Sequence, residues 1–154
     1  MTDEPKLLGE GYYWNELKPG MRFRTFGRTI TEADLVSFIN CTGMVEVLFT
    51  NEEFRKSHSA IKGRVVPGAF IYAIAEGLVL TGMGQATGLA FLHTDMDVKA
   101  PTVVGDTVHV EIEVTEARAA SKGNRGLVRT KNRIVNQRGE TVIEYSPLRL
   151  MQGR

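Results

Sequence analysis

Between Thr107 and Thr115 the chain alternates with a period of two. Val108, Val110, Ile112 and Val114 are apolar, while His109, Glu111, Glu113 and Thr115 are polar. That period puts one set on each face of an extended chain, so a half-buried β-strand is predicted here. The stretch from Gly68 to Leu80 obeys no such rule: its only charge is Glu76, and apolar residues point in nearly every direction. A helix that is apolar all round leaves no face for water, so it is predicted to lie at the centre of the domain. At about 1.5 Å per residue it is roughly 20 Å long, enough for a core and too short for a bilayer. Val65 and Val66 read as extended, and Pro67 sits where a first-turn proline is tolerated. Gly68 lets a backbone or a ligand approach the free N–H groups at the positive end of the helix. The Pro-Gly corner is therefore either a polarising site for a carbonyl or anion, or the ordinary start of a core helix.

The remaining pattern supplies the other elements. Residues 1–10 are expected to be a loose arm, and residues 11–154 one domain. Gly11 to Leu17, with Tyr12, Tyr13 and Trp14, carries too much aromatic surface to be left in water and is expected to lie across the domain or a partner. Met21, Phe23 and Thr25 alternate with Arg22, Arg24 and Phe26 as a strand. Thr31 and Asp34 form a capping-box pair, and Leu35, Phe38 and Ile39 recur at helical spacing, predicting a helix over 32–41 ended near Gly43. Asn51 is placed to cap a short helix over 52–55, with a polar loop containing His58 over 56–63. Gly82, Gly84 and Gly88 mark a turn. Strands are then predicted over 90–98, with Leu92, Thr94, Met96 and Val98 on one face, over 127–135, and over 140–151. Between the last two, residues 136–139 make a tight turn.

Helices followed by a run of strands give an α+β domain with a curved antiparallel sheet around one long central helix, the hot-dog arrangement. Its open sheet edges and very apolar helix predict a homodimer or higher homo-oligomer. Composition narrows the function classes. The 154 residues carry a formal charge of +1 with acids and bases interspersed, so no nucleic-acid or anionic-membrane footprint is expected. The single Cys41 cannot close an internal disulfide, and the chain has no metal-binding Cys/His spacing. The polar start, MTDEPK, has no apolar leader core, so a cytoplasmic location is expected.

Three segments resemble the MaoC-like dehydratases, a hot-dog family that includes (R)-specific enoyl-CoA hydratases. TITEADLVSFINCTG is similar to the family's opening helix, GRVVPGAFIYAIAEGL to its central-helix corner, and MDVKAPTVVGDTVHVEIEVTEAR to its strand pair. The resemblance implies an acyl-CoA or acyl-carrier thioester ligand, with coenzyme A as part of the substrate and no other cofactor. It also implies addition or removal of water across an enoyl/3-hydroxyacyl bond. In the family an Asp and a His activate the water, and a glycine amide at the central helix holds the thioester oxygen. Here the Asp position holds Met44, the His position Phe49, and the corner His position Pro67. Thr42, Gly43 and Gly68 are retained, with Val66 beside the corner. Neither a thioether nor a phenyl ring accepts a proton, so the usual pair is gone.

Two carboxylates are candidates to replace it. Glu46 lies in the otherwise apolar run 44–49, where desolvation favours an acid–base role, and the alternative is a solvent-facing or Arg-paired glutamate. Glu76, on the central helix, resembles the carboxylate of hot-dog thioesterases, and the alternative is pairing with a cation at a subunit contact. Arg64 and Lys99 are candidates for the phosphates of coenzyme A. Three readings stay open: a hydratase using Glu46, a thioesterase using Glu76, and a non-catalytic thioester-binding subunit whose heteromeric partner supplies the dyad.

Overall fold

The computed structural model describes residues 4–154; the first three residues of the expected arm lie outside them, and residues 4–10 are exposed. Thr31 opens the first helix, α1 (Glu32–Thr42), as expected. Its hydroxyl accepts from Asp34 N, and the Asp34 carboxylate accepts from Thr31 N at 2.9 Å. Those hydrogen bonds hold the Asp34 carboxyl below its ordinary pKa. Gly43 closes the helix at φ 71, the left-handed region where a Cβ is unfavourable. Two short helices follow, α2 (Val47–Thr50) and α3 (Glu52–His58). Asn51 caps α3, accepting from Phe54 N at 3.0 Å. The polar loop predicted over 56–63 is half helix: His58 stacks on Phe54 with ring centroids 4.2 Å apart, extending α3 by a turn.

The central helix, α4, runs Gly68–Gly82. Phe70, Ile71, Ile74, Ala75 and Val79 are buried against Val108, Val110, Ile112, Ile134, Val142 and Ile143 of the sheet, in one contiguous core. Its other face, Ala69, Ala73, Gly77 and Leu80, is exposed within the single chain. The all-round apolar pattern therefore describes a helix with only one side covered by its own sheet.

The sheet is antiparallel throughout, with eight strands. Strands β1 (Arg22–Arg24) and β2 (Arg28–Thr29) pair with β5 (Thr107–Ala119) at one edge. Strand β5 pairs along its length with β6 (Arg125–Val135). Beyond β6 come β7 (Thr141–Tyr145), paired with β4 (Met96–Val98), and β8 (Leu148–Gln152), paired with β3 (Gly88–His93). The period-two pattern on β5 is obeyed: Val108, Val110, Ile112 and Val114 are all buried. Phe23 and Phe26 also fall on opposite faces, Phe26 being 93% exposed. Trp14, in a short 3-10 turn (Trp14–Glu16), lies over Gly126, where a Cβ would come within 2.2 Å of the indole. The aromatic segment thus covers its own domain.

Two expectations need correction. The strand predicted over 90–98 is two strands, and none of its apolar residues is buried: every residue of β3 and β4 is exposed. The strand predicted over 140–151 is also two, because Pro147 lacks the N–H that a continuing ladder needs and the chain steps from β7 to β8 around Ser146-Pro147. The turn expected at Gly82, Gly84 and Gly88 is present over residues 83–87, and its left-handed residue is Ala86, at φ 64.

Candidate active site

The two most family-like segments meet in space. Val65 bridges Val103, Val66 N donates to Thr102 O at 3.0 Å, and Val104 N donates to Arg64 O at 2.9 Å. This short ladder fixes the entry to α4. The far side of the ladder is a turn in which Gly105 sits at φ 97 and Asp106 accepts from Val103 N at 3.0 Å. Gln137 and Arg138 also donate to the Asp106 carboxylate, at 2.7 and 3.2 Å. Burial pushes that carboxyl's pKa up, but these donors outweigh it and the net shift is downward.

Pro67, buried, takes an extended conformation (φ −59, ψ 138) and hands the chain to Gly68. Its carbonyl accepts from Phe70 N and Ile71 N. The Gly68 and Ala69 amides, at the positive end of α4, have no acceptor among the described residues. A Cβ at Gly68 would rest 3.5 Å from Val98 Cγ2, an ordinary contact. Gly68 therefore sits beside the exposed strand β4, at the border of the uncovered face, and neither described cavity is lined by Gly68 or Glu46.

The remaining candidates divide into struts and surface groups. Thr42 Oγ1 donates to Phe38 O at 2.7 Å and accepts from Met44 N at 3.3 Å, holding the end of α1. Met44 and Phe49 are half-buried, and Phe49 packs against the main core. Arg64 is a tie between helices: it pairs with Glu32 at 3.0 Å and donates to the Phe49 carbonyl. Lys99 is exposed, 3.8 Å from Glu144. Glu46 is on the surface, with Val45 and Val47 exposed on either side, and it caps α2 by accepting from Leu48 N at 3.1 Å. Those apolar neighbours do not bury it.

Glu76 is paired inside its own chain, not across a subunit contact. Its Oε1 accepts from Arg149 at 2.6 Å and from Tyr145 Oη at 3.0 Å. The pair is almost fully enclosed, with side-chain exposures of 13% and 5%. Burial, then the adjacent Glu76 charge, pushes the Tyr145 hydroxyl well above its ordinary pKa. Arg149 and Tyr145 escaped sequence reasoning because both lie on strands some seventy residues downstream. The one available signal was period: Arg149 shares the inward set of β8 with Met151. His93 is exposed, and His109 lies 3.4 Å from Glu111. Among the described residues no His/Cys/Asp/Glu group could hold a metal ion.

Comparison with known proteins agrees with this frame. The model of the FAS1-like dehydratase domain region matches residues 18–145, so the chain belongs to that family, within the MaoC-like dehydratases. The chain is similar to the monoamine oxidase regulatory protein of Archaeoglobus fulgidus, with 25% identity, 96% of this chain and 99% of that one covered, and a TM-score of 0.83. It is similar to the MaoC-like dehydratase of Rhodospirillum rubrum, with 26% identity, 94% and 99% covered, and a TM-score of 0.78. A Mycobacterium tuberculosis protein with a double hot-dog fold shares the fold, with 15% identity, a TM-score of 0.82, and 94% of this chain covering 45% of that one. No curated protein matches by sequence. No helix among the described residues is long and apolar enough to cross a membrane.

Proposed function

We propose that this dehydratase-family chain is the thioester-holding member of a hot-dog pair. In this reading the Gly68 N–H polarises the carbonyl of an enoyl- or 3-hydroxyacyl-CoA, and a second hot-dog unit supplies the groups that move protons. Coenzyme A takes part only as a portion of the substrate. The observation that carries the reading is that the family's dyad positions hold no proton acceptor and both candidate carboxylates are engaged elsewhere. Met44 and Phe49 occupy the dyad positions, Glu46 caps a surface helix, and Glu76 is bound by Arg149 and Tyr145. Meanwhile the open amides of α4 lie beside β4, on the uncovered apolar face where a second unit would sit. The mycobacterial double hot-dog protein, of which this chain spans 45%, has two units in one polypeptide. A well-placed oxyanion donor is worth about 3–4 kcal/mol to the transition state, and in the ground state it polarises the thioester without completing the reaction.

Gly68→Pro tests the amide directly. Pro67 already has the extended conformation required before a proline, and position N1 of a helix tolerates one, so the fold is expected to survive while the donor is lost. Crotonyl-CoA binding by the purified chain should weaken about fivefold in this variant, the loss of one neutral amide–carbonyl hydrogen bond of roughly 1 kcal/mol. The purified chain should not hydrate crotonyl-CoA alone, and should do so with a dyad-bearing hot-dog partner. Hydration by the isolated chain that disappears in Glu46→Gln would return the proton chemistry to Glu46.

A further inference from the structure

The edge of the sheet opposite β3 and β4 holds a cavity that the thioester site does not use. Under the C-terminal end of α4, residues Tyr12, Phe23, Leu78, Val79, Met83 and Ile112 line a space of about 330 Å³, within the roughly 300–1,000 Å³ of small-molecule sites. At about 30 Å³ per water-sized group, it has room for roughly ten of them. Its threonines have no free donor for a ligand. Thr25 Oγ1 donates to Phe26 O at 2.8 Å and accepts from Val110 N at 2.9 Å, while Thr81 Oγ1 donates to Gly77 O at 2.9 Å. The interior is therefore suited to hydrocarbon. Phe26, on the rim, has almost its whole ring in solvent.

A second cavity, about 530 Å³, lies against the charged side chains of β1, β5 and β6 and shares Phe23, Arg24 and Ile112 with the first. Arg22, Arg24, Lys131 and Arg133 line it, against Glu111 and Glu113. Arg133 is paired with Glu111 at 3.3 Å, and Glu113 stands in register between Arg22 and Lys131. Arg22, Arg24 and Lys131 form no ion pair among the described residues. The groove thus carries excess positive charge at the mouth of an apolar hole, and β1 is the edge strand, so a ligand can pass from one to the other around Arg24.

We propose that this junction binds a single-chain anionic amphiphile, with its tail in the cavity under α4 and its head on Arg24 and Arg22. The site is separate from the thioester corner: Gly68 and Gly82 are the two ends of α4, roughly 20 Å apart at 1.5 Å per residue. A free fatty acid and an acyl thioester share this chemistry.

Calorimetric titration of the full chain with decanoate, decanoyl-CoA and decyltrimethylammonium tests the assignment. Decanoate should bind saturably at one site, and the cationic amphiphile should not. Gly82→Phe should abolish binding by filling the mouth; a Cβ there meets nothing within 4 Å, so the fold is expected to persist. Thr81→Trp, at an exposed position on the same rim, provides a second block if that variant fails to fold. Arg24→Glu should weaken decanoate binding about tenfold or more, whereas Gly68→Pro should leave it unchanged. Displacement of decanoate by decanoyl-CoA, weakened further in Lys131→Glu, identifies the thioester as the source; failure to displace it identifies the free acid. Absence of saturable binding by either anion overturns the proposal. So does equal binding of the cationic amphiphile, or binding that survives both blocking variants.

Discussion

Strands β5 and β6 and strands β3 and β4 are built from similar residues and end in opposite environments. Val110 on β5 is fully buried, whereas Val98 on β4 is 58% exposed and Phe91 on β3 is 44% exposed. The long strands lie across α4 and bury their inward set against it. The short ones hang beyond β7 and β8, where the helix presents only Ala69, Ala73, Gly77 and Leu80. An apolar side chain records what it must be shielded from, not which chain does the shielding. The half of the molecule that buries its own apolar residues is the scaffold, and the half that leaves them exposed lies beside the amides of Gly68 and Ala69.

The largest expected effect is the contrast between Val110→Asp and Val98→Asp. The first places a charge in a dry core and should cost more than about 4 kcal/mol, abolishing cooperative unfolding in urea. The second should change the chain's own stability by less than about 0.5 kcal/mol and instead shift its sedimentation toward the monomer. Equal destabilisation by the two would erase the distinction between the faces. Glu76 and Arg149, with Phe91 stacked 5.2 Å from the guanidinium, sit where the faces meet. Glu76→Ala should cost about 3 kcal/mol by stranding the arginine, while Glu76→Leu combined with Arg149→Met should recover most of it. A smaller effect is expected at Asp106, on the finished side. Its folded pKa lies below the unfolded one, so its contribution is full above the unfolded value and is lost as pH falls through the folded one. Asp106→Asn should cost about 2 kcal/mol at neutral pH, and the gap to the parent should close in acid. A gap that stays constant with pH would show that shape, not charge, holds the turn.

Much of this architecture is legible in the sequence because local rules and the final fold agree. The Thr31/Asp34 box and the β5 alternation each specify their own geometry within a few residues. Strand breaks at Asp95 and Pro147 were harder to see, since hydrophobic period survives a change of partner. At the candidate site the retained Gly68 and the lost dyad are both readable. The apolar run around Glu46 misled: Met44 and Phe49 turn partly inward while Val45 and Val47 face water, and the carboxylate goes with the latter. Periodicity over four helical residues is too short to reveal that. The fate of Glu76 depends on a strand seventy residues away, and no local rule reaches so far.

Strand β8 pairs with both β3 and β6, delivers Arg149 to Glu76, and leads into Gly153, beneath the indole of Trp14. During synthesis, then, the greasy rod waits for a strand made some seventy residues later before its buried carboxylate finds a counter-ion. A nascent polypeptide stalled before Leu148 would expose that carboxylate and two unpaired ladders at once. Folding of this domain should therefore wait for β8, and any lesion in that strand should reduce soluble yield more than its size suggests.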